Sequence, residues 1–175
     1  MKNLTLIIPV KNEKESLPIF LKELKNYNCL KHIILDNKDL VTLKAIKNIK
    51  KIKIIRQKRS GYGNALIAGI KSVKTKYCCI INADGSMDPK YLKKKLKLAI
   101  NYDFIFSSRY SGKLAGSDDD DFITLIGNYF FSLIGKIFFS LKINDILYTY
   151  ILGKTKSFKN LNLKYHDFRV CVEIP

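Results

Sequence analysis

The sequence predicts an α/β fold, in which a mostly parallel β-sheet is covered by helices. Two observations support this prediction. Along the first two-thirds of the 175-residue chain, short apolar runs alternate with amphipathic segments, which is the rhythm of β-α-β units. Hydrophobic residues make up 47% of the chain, enough for one domain with a substantial core.

Apolar runs mark the predicted strands. They cover residues 4–10, 32–36, 52–56, 77–82 and 103–108. Because consecutive strands joined by helices run parallel, their carboxyl ends meet at one edge of the sheet.

The segments between the strands have helical character. The first helix places Leu17, Phe20, Leu21 and Leu24 on one face, and the others cover residues 41–49, 64–73 and 88–100. A glycine turn, "SGYG", precedes the third helix. Pro89 lies in the first turn of the fourth, where its missing N–H costs nothing.

Polar residues follow every predicted strand. They are Lys11, Asn12 and Glu13, then Asp36 and Asn37, then residues 57–60, 82–86 and 107–109. Ligands of such sheets bind at the carboxyl ends of the strands. The sequence therefore predicts one polar rim that holds the binding site.

The formal net charge is +17, which suggests an anionic partner such as a membrane surface or a phosphate-rich substrate. Nucleic acid is not expected, because the excess is lysine and the basic stretch at residues 47–59 has no aromatic residue to stack on bases. Cysteines 29, 78, 79 and 171 lack metal-site spacing. They indicate reduced thiols and a cytoplasmic location, and no secretory signal opens the chain.

The last third of the chain follows a different pattern. Four aspartates at residues 118–121 suggest a solvated loop, and the tail at residues 166–175 is expected to end as a strand. Residues 122–141 carry one charge, Lys136, and predict an apolar helix. A core helix, a spanning helix and an interfacial helix are all compatible with this pattern. The basic charge favours an interfacial helix at the cytoplasmic membrane face.

Several segments, in this order and spacing, resemble family-two glycosyltransferases of GT-A fold. They are "TLIIPVKNEKESLP", "ILDNKD", "RSGYGNALIAGI", "NADGSMDP" and "SSRY". Within that family the chain is most similar to polyprenyl-phosphate (dolichyl-phosphate-type) hexosyltransferases. The similarity covers residues 4–110 well and the remainder weakly, and a basic closing segment of the family does not follow residues 168–175. A truncated copy is therefore one interpretation.

The resemblance implies a division of labour within one GT-A domain. Residues 1–110 would bind the nucleotide sugar, and residues 111–175 would face the acceptor and the membrane. The residues implied in nucleotide-sugar binding are Pro9, Val10, Asn12, Glu13, Asp36, Asn37, Gly61, Gly63, Ala83 and Asp84. Those implied in catalysis are Asp84, Arg109 and Asp145.

The resemblance also implies a magnesium or manganese site formed by Asp84, Asn82 and Ser86. A divalent cation bridging two phosphate oxygens would stabilise the leaving diphosphate. Here Asn82 stands where a partner carboxylate is expected, so Asp84 is the one charged ligand. The stretch can be a working site, a weakened site, or only a turn in which Asp88 caps the next helix.

The implied function is transfer of a hexose from a nucleotide-diphospho-sugar to a polyprenyl phosphate or glycolipid at the membrane face. The reaction would be inverting and metal-dependent. His32 and His166 are interpreted as structural or exposed, which fits a phosphate acceptor because an ionised phosphate needs no general base. The alternative is a non-catalytic relative that binds nucleotide sugar through an eroded metal site.

Overall fold

The computed structural model describes residues 1–109, 133, 135, 137 and 143–175 of the chain. Within these residues a single sheet contains six strands in the order β3-β2-β1-β4-β6-β5. The strands are β1 (Leu4–Val10), β2 (Leu30–Leu35), β3 (Lys53–Arg56), β4 (Tyr77–Ile80), β5 (Phe104–Phe106) and β6 (Ile151–Lys154).

Strand β1 forms the centre of the parallel part of the sheet. It pairs in parallel with β2 on one side and β4 on the other, and β2 pairs in parallel with β3. All seven of its residues are buried, as expected for a strand with helices on both faces. The predicted α/β architecture and its five strands are confirmed.

The helices cover both faces of this sheet. They are α1 (Ser16–Glu23), α2 (Leu40–Ile46), α3 (Tyr62–Ser72), α4 (Leu92–Leu98), α5 (Thr155–Asn160) and α6 (Val170–Glu173). One core cluster contains Leu6 and Ile8 of β1 together with residues of α1 and α4. The other contains Ile7 with residues of α3, α5 and α6, so alternate side chains of β1 serve opposite faces.

Two helix starts follow from short polar side chains. Asp39 caps α2, where its Oδ1 accepts a hydrogen bond from the Thr42 amide at 3.0 Å. Asp88 accepts one from the Lys90 amide at 2.8 Å, and Pro89 then opens a 3-10 turn over Pro89–Tyr91 before α4 begins. The predicted capping role of Asp88 is confirmed.

The strand missing from the sequence prediction is β6. It lies between β4 and β5 and is antiparallel to both. Its four residues are too few to show a clear alternation of polar and apolar side chains. Helix α5 follows it directly, with no turn sequence between them.

The prediction that the tail ends as a strand is wrong. Residues 170–173 form α6, and Val170, Cys171 and Ile174 pack into the core beside α3. Valine and cysteine at these positions favour a strand locally, but their spacing places them on the buried side of one helical turn.

The four cysteines are unpaired, and all but Cys29 are buried. Burial raises the pKa of Cys78 and of Cys79 to about 12, so both thiols stay protonated. None of the helices within the described residues has the length and apolar character needed to cross a membrane. The acidic run at 118–121 and most of the apolar stretch at 122–141 lie outside the described residues.

Candidate functional site

A pocket of about 400 Å³ opens at the carboxyl ends of β1, β2 and β4. The structure brings together there these residues singled out in the sequence: Pro9, Val10, Glu13, Asp36, Gly61, Asn82, Ala83 and Asp84. The predicted polar rim thus encloses a real cavity. Its location is the one at which ligands of open α/β sheets bind.

Asp36 places a charged acceptor inside this pocket. Its side chain is nearly inaccessible, at 2% exposure for the residue, and its Oδ1 accepts a hydrogen bond from the Lys38 amide at 2.9 Å. Its Oδ2 accepts no hydrogen bond of regular geometry from the described residues. The nearby Ser60 hydroxyl lowers the pKa of Asp36 most, followed by the Lys38 amide; burial opposes them, and the Lys11 and Lys38 charges assist. A buried carboxylate oxygen without a regular hydrogen bond is unusual in a folded protein, and Asp36 itself borders the pocket, where a bound ligand could supply a donor.

Asn12 and Asn37, predicted to bind the nucleotide, do not line the pocket. Asn12 has a positive φ of 61°, and its backbone N–H donates to Asp39 Oδ2 at 2.6 Å. The backbone oxygen of Asn37 accepts a hydrogen bond from the Arg56 guanidinium. These contacts tie the loops after β1, β2 and β3 to one another.

The turn after β4 presents one carboxylate to the pocket, Asp84, while Asp88 caps the next helical turn. Asp84 Oδ1 accepts hydrogen bonds from the Ser86 amide at 3.0 Å and the Ser86 hydroxyl at 2.6 Å. The Ser86 side chain therefore supports Asp84. Asn82 Oδ1 accepts from the Tyr62 hydroxyl at 3.3 Å.

The donor set fits a divalent cation only in part. No group of three histidine, cysteine, aspartate or glutamate side chains in the described residues could hold a metal ion. Asp84 is exposed, and its Oδ2 carries no hydrogen bond from the described residues, so it can serve as one hard oxygen ligand. The amide oxygen of Asn82 is a second, neutral one. A cation would need oxygens from a diphosphate and from water to complete its shell.

Lys11 and Gln57, both part of the predicted polar rim, also line the pocket. Tyr62, Ala65 and Phe168 complete its walls. The rings of Tyr62 and Phe168 stack with centroids 5.1 Å apart and planes inclined by 15°. Phe168 is 74% exposed, so its ring forms an aromatic lip at the mouth of the pocket. Burial raises the pKa of Tyr62, whose hydroxyl lies 2.6 Å from Thr149 Oγ1.

Gly61 and Gly63, at the start of α3, allow the backbone of residues 165–167 in the carboxyl-terminal segment to approach closely. A Cβ on Gly63 would lie 2.2 Å from the Tyr165 backbone oxygen, and one on Gly61 would lie 2.3 Å from that of His166. Gly61 also has a φ of 129°, which L side chains rarely adopt. The family resemblance implied that Gly61 and Gly63 bind the nucleotide sugar; the close neighbour seen is the chain itself, although Gly61 also lines the pocket.

Two further contacts fix that segment. The Asn64 amide donates to the His166 backbone oxygen at 3.1 Å. The Glu173 carboxylate accepts from the Lys164 and Tyr165 amides at 2.6 and 3.0 Å. The lip that carries Phe168 is thus held at both ends.

Arg109 and Asp145, predicted to be catalytic, meet each other outside the pocket lining. Asp145 is completely buried and accepts hydrogen bonds from the Arg109 side chain. The residues after it brace the turn after β4: Tyr148 donates to the Ser86 backbone oxygen at 2.7 Å, and Tyr150 to that of Asp88 at 2.8 Å. The hydroxyl-rich run "YTY" at residues 148–150, directly before β6, is the local sequence signal of this role.

Neither histidine lines the pocket. His32 is buried at the amino end of β2, with Nδ1 2.7 Å from the Ser72 hydroxyl, and burial lowers its pKa. His166 is exposed. Both positions agree with the interpretation of the histidines as structural or exposed.

Comparison with known proteins identifies the family. The family model described as Glycosyl transferase family 2 matches residues 5–161. Uncharacterized glycosyltransferases of Mycobacterium bovis and Mycobacterium tuberculosis are 33% identical over 91 residues. Each match covers 51% of this chain and 40% of the relative, so it spans less than half the length of these relatives.

Solved structures of GT-A glycosyltransferases share the fold. Glucosyl-3-phosphoglycerate synthase from Mycobacterium tuberculosis, in complex with Mn²⁺, UDP and phosphoglyceric acid, superposes with a TM-score of 0.71 at 12% identity. The superposition covers 99% of this chain and 62% of that one. Residues 1–349 of S. aureus TarS give a TM-score of 0.62 at 13% identity, over 99% and 55% of the two chains. At these identities the likeness establishes the fold, and the predicted GT-A fold is confirmed.

Proposed function

Since the chain belongs to glycosyl transferase family 2, we propose that it transfers a hexose from a nucleotide-diphospho-sugar bound at the carboxyl ends of β1, β2 and β4. The observation that carries this proposal is the buried Asp36 carboxylate in the pocket, with Oδ2 unpartnered by the described residues. Such an oxygen accepts hydrogen bonds from a base N–H or a ribose hydroxyl. Glu13, at the end of the neighbouring strand, supplies a second acceptor.

A uridine nucleotide is the first donor to test. The similar glucosyl-3-phosphoglycerate synthase structures contain UDP and, in other complexes, UDP-glucose. The base presents an N–H donor to a carboxylate, which suits Asp36, and the Tyr62–Phe168 pair offers an aromatic surface beside it. Guanosine diphosphate is the comparison, because it also carries an N–H donor.

A divalent cation, magnesium or manganese, belongs to this proposal. Asp84 and the amide oxygen of Asn82 would hold it, with Ser86 orienting Asp84. When bound, the cation would offset the charge of the leaving diphosphate. The similar synthase complexes that contain Mn²⁺ together with UDP-glucose support this assignment.

The proposed acceptor carries a phosphate. Among the described residues no histidine lines the pocket, and an ionised phosphate needs no general base. Two sources share this chemistry: a polyprenyl phosphate or glycolipid at a cytoplasmic membrane face, as the sequence resemblance implies, and a water-soluble phospho-acid such as the phosphoglyceric acid in the similar synthase structures. Transfer assays with each class separate them.

A non-catalytic, nucleotide-sugar-binding role is the second candidate. It is favoured by the single carboxylate of the turn after β4, where Asn82 replaces a charged ligand. Both candidates require nucleotide binding, but only the transferase consumes the donor. Release of UDP from UDP-glucose in the presence of Mn²⁺ and an acceptor phosphate distinguishes them.

Calorimetric titration of UDP with Mn²⁺ tests the pocket itself. Replacing Asp36 by alanine should weaken binding roughly tenfold or more, because a charged hydrogen bond contributes about 1.5–3 kcal/mol. Asp103→Ala removes an exposed carboxylate at the start of β5 and is the matched control. Equal affinity of Asp36→Ala and wild type would place the nucleotide elsewhere.

A further inference from the structure

The amino edge of the sheet, opposite the pocket, carries two adjoining clefts lined by lysines. The larger, of about 740 Å³, contains Lys2, Lys31, Lys51, Lys53 and Lys74. The smaller, of about 370 Å³, contains Lys22, Lys25, Lys31, Lys50 and Lys51. Lys31, Lys51 and Ile52 belong to both, so the clefts form one continuous surface, here called the basic face.

No carboxylate among the described residues lines either cleft. The lysines of the basic face also form none of the ion pairs found in the described part of the chain. Lys31 is buried, and its ammonium donates to the backbone oxygens of Tyr27 and Cys29 at 3.0 and 3.3 Å, which are neutral partners. The positive charge of this face is therefore not neutralised within the described structure.

Acidic side chains gather at the other edge. Glu13, Asp36, Asp39, Asp84 and Asp88 all follow the carboxyl ends of parallel strands. A strand of seven residues such as β1 separates the two edges by about 20 Å. Lysines such as Lys11, Lys38 and Lys58 also lie at the carboxyl edge, so charges of both signs mix there, whereas the basic face carries lysines without carboxylates.

We propose that the basic face docks the protein onto bilayers rich in anionic phospholipid. A lysine ammonium is a compact point charge that needs no fixed geometry in its partner, which suits a fluid layer of headgroup phosphates. The clefts contain no phenylalanine, tyrosine or tryptophan among the described residues, and the one imidazole, that of His32, is buried, so they lack the stacking surface that single-stranded nucleic acid uses. Leu30, half exposed in the larger cleft, adds an apolar contact at the headgroup level.

Docking in this orientation points the nucleotide pocket away from the bilayer. The pocket then stays open to water, about 20 Å from the headgroups. A water-soluble acceptor reaches it, whereas a lipid-linked phosphate in the same leaflet does not. Docking through the basic face therefore favours a water-soluble acceptor over a lipid-linked one.

Flotation with vesicles tests the docking. Wild type should float with vesicles of equal parts phosphatidylglycerol and phosphatidylcholine at low salt, and not with pure phosphatidylcholine. Binding should disappear at about 1 M salt, where the Debye length is about 3 Å. The variant Lys25→Glu/Lys50→Glu/Lys74→Glu should partition about a hundredfold or more weakly, because each lysine near an anionic surface contributes on the order of fivefold.

The matched control is Lys44→Glu/Lys93→Glu/Lys94→Glu, which changes the net charge equally at exposed lysines outside both clefts. It should lose less than about fivefold. Equal losses in both variants, or no flotation of wild type, would overturn the proposal. So would binding of an unstructured RNA oligonucleotide without binding of vesicles. Unchanged thermal melts establish that the variants fold, and vesicle binding needs no nucleotide, so its failure leaves the proposed transferase function standing.

Discussion

Arg109, three residues after the end of β5, forms a bidentate ion pair with Asp145. The guanidinium Nε donates to Asp145 Oδ2 and its Nη2 to Oδ1, each at 3.0 Å, and the Arg109 amide donates to Oδ2 at the same distance. The carboxylate is completely buried, while the Arg109 side chain is 20% exposed. The pair fastens the residues after β5 to the segment that leads into β6.

Breaking this pair should destabilise the fold strongly. Asp145→Ala leaves the arginine without its buried carboxylate, and loss of one partner of such a pair costs about 3–5 kcal/mol of unfolding free energy. Urea denaturation measures the loss. The double variant Arg109→Met/Asp145→Leu removes both charges and should recover most of it. A loss below about 1 kcal/mol in Asp145→Ala would mean that the pair is solvated, as exposed pairs are.

Gly63 should be needed to hold the carboxyl-terminal segment, which carries Phe168, in its position. In Gly63→Ala the new methyl group meets the Tyr165 backbone oxygen, so the segment must move, at a cost of about 1–3 kcal/mol. Limited proteolysis should then cut near Tyr165 faster than in wild type. Lys71→Ala is the control, since it changes an exposed residue of the same helix. Equal protease resistance of Gly63→Ala and wild type would contradict the packing described.

The turn after β4 should depend on Asp84 for any metal binding. Asp84→Ala removes its one carboxylate and should abolish Mn²⁺-dependent binding of UDP, measured by calorimetry with and without the metal. Asn82→Asp supplies a charged oxygen, which binds a hard cation more tightly than an amide, and should strengthen Mn²⁺ binding. If wild type already turns over donor, Asn82→Asp should change its metal dependence modestly; if only Asn82→Asp binds metal, the natural site has lost this function.

Asp88→Ala provides the control for that experiment. Asp88 caps the 3-10 turn through the Lys90 amide, so its loss should cost about 0.5–2 kcal/mol of stability and leave Mn²⁺ binding intact. Identical Mn²⁺ affinity in wild type and Asp84→Ala would mean that residues 82–88 serve only as a turn.

Lys95 should make the stability depend on alkaline pH. It is buried, its ammonium donates to the Tyr150 backbone oxygen at 2.6 Å, and burial lowers its pKa to about 8. Below pH 8 both folded and unfolded chains carry the proton. Between about pH 8 and 10.4 the unfolded chain binds more protons, so the contribution of Lys95 to the unfolding free energy rises with pH, by up to about 3 kcal/mol.

The comparison with Lys95→Met isolates this effect, because cysteines titrate in the same range. Methionine has a similar length and no charge. As the pH rises from 8 to 10, the unfolding free energy of wild type should increase relative to that of Lys95→Met. A difference that is constant over this range would show that the amine keeps its ordinary pKa in the folded protein.

Local patterns in the sequence were sufficient for the parallel half of the sheet. Strand β1 is apolar at every position, and Glu13, Asp36 and Asp84 follow strand ends, so parallel topology brings them together. The family resemblance rested on the same segments. These features depend on residues close in sequence and on one rule of topology.

The remaining parts of the site depend on contacts between distant residues. Phe168 reaches Tyr62 only because the glycine turn accepts the Tyr165–Asp167 backbone. Tyr148 reaches Ser86 only because β6 runs antiparallel beside β4. Neither contact leaves a periodic pattern, and the four residues of β6 are too few to show one.

Strand β6 is the last of the described strands to be synthesised, yet it lies between β4 and β5. Until residues 151–154 leave the ribosome, β5 has no described neighbour and β4 is paired along one side only. The nascent chain therefore carries one open edge on β4 and two on β5 while the pocket residues of its first half are already made. Such edges recruit other strands, so this interval of synthesis is when the chain is most exposed to mispairing and to chaperone capture.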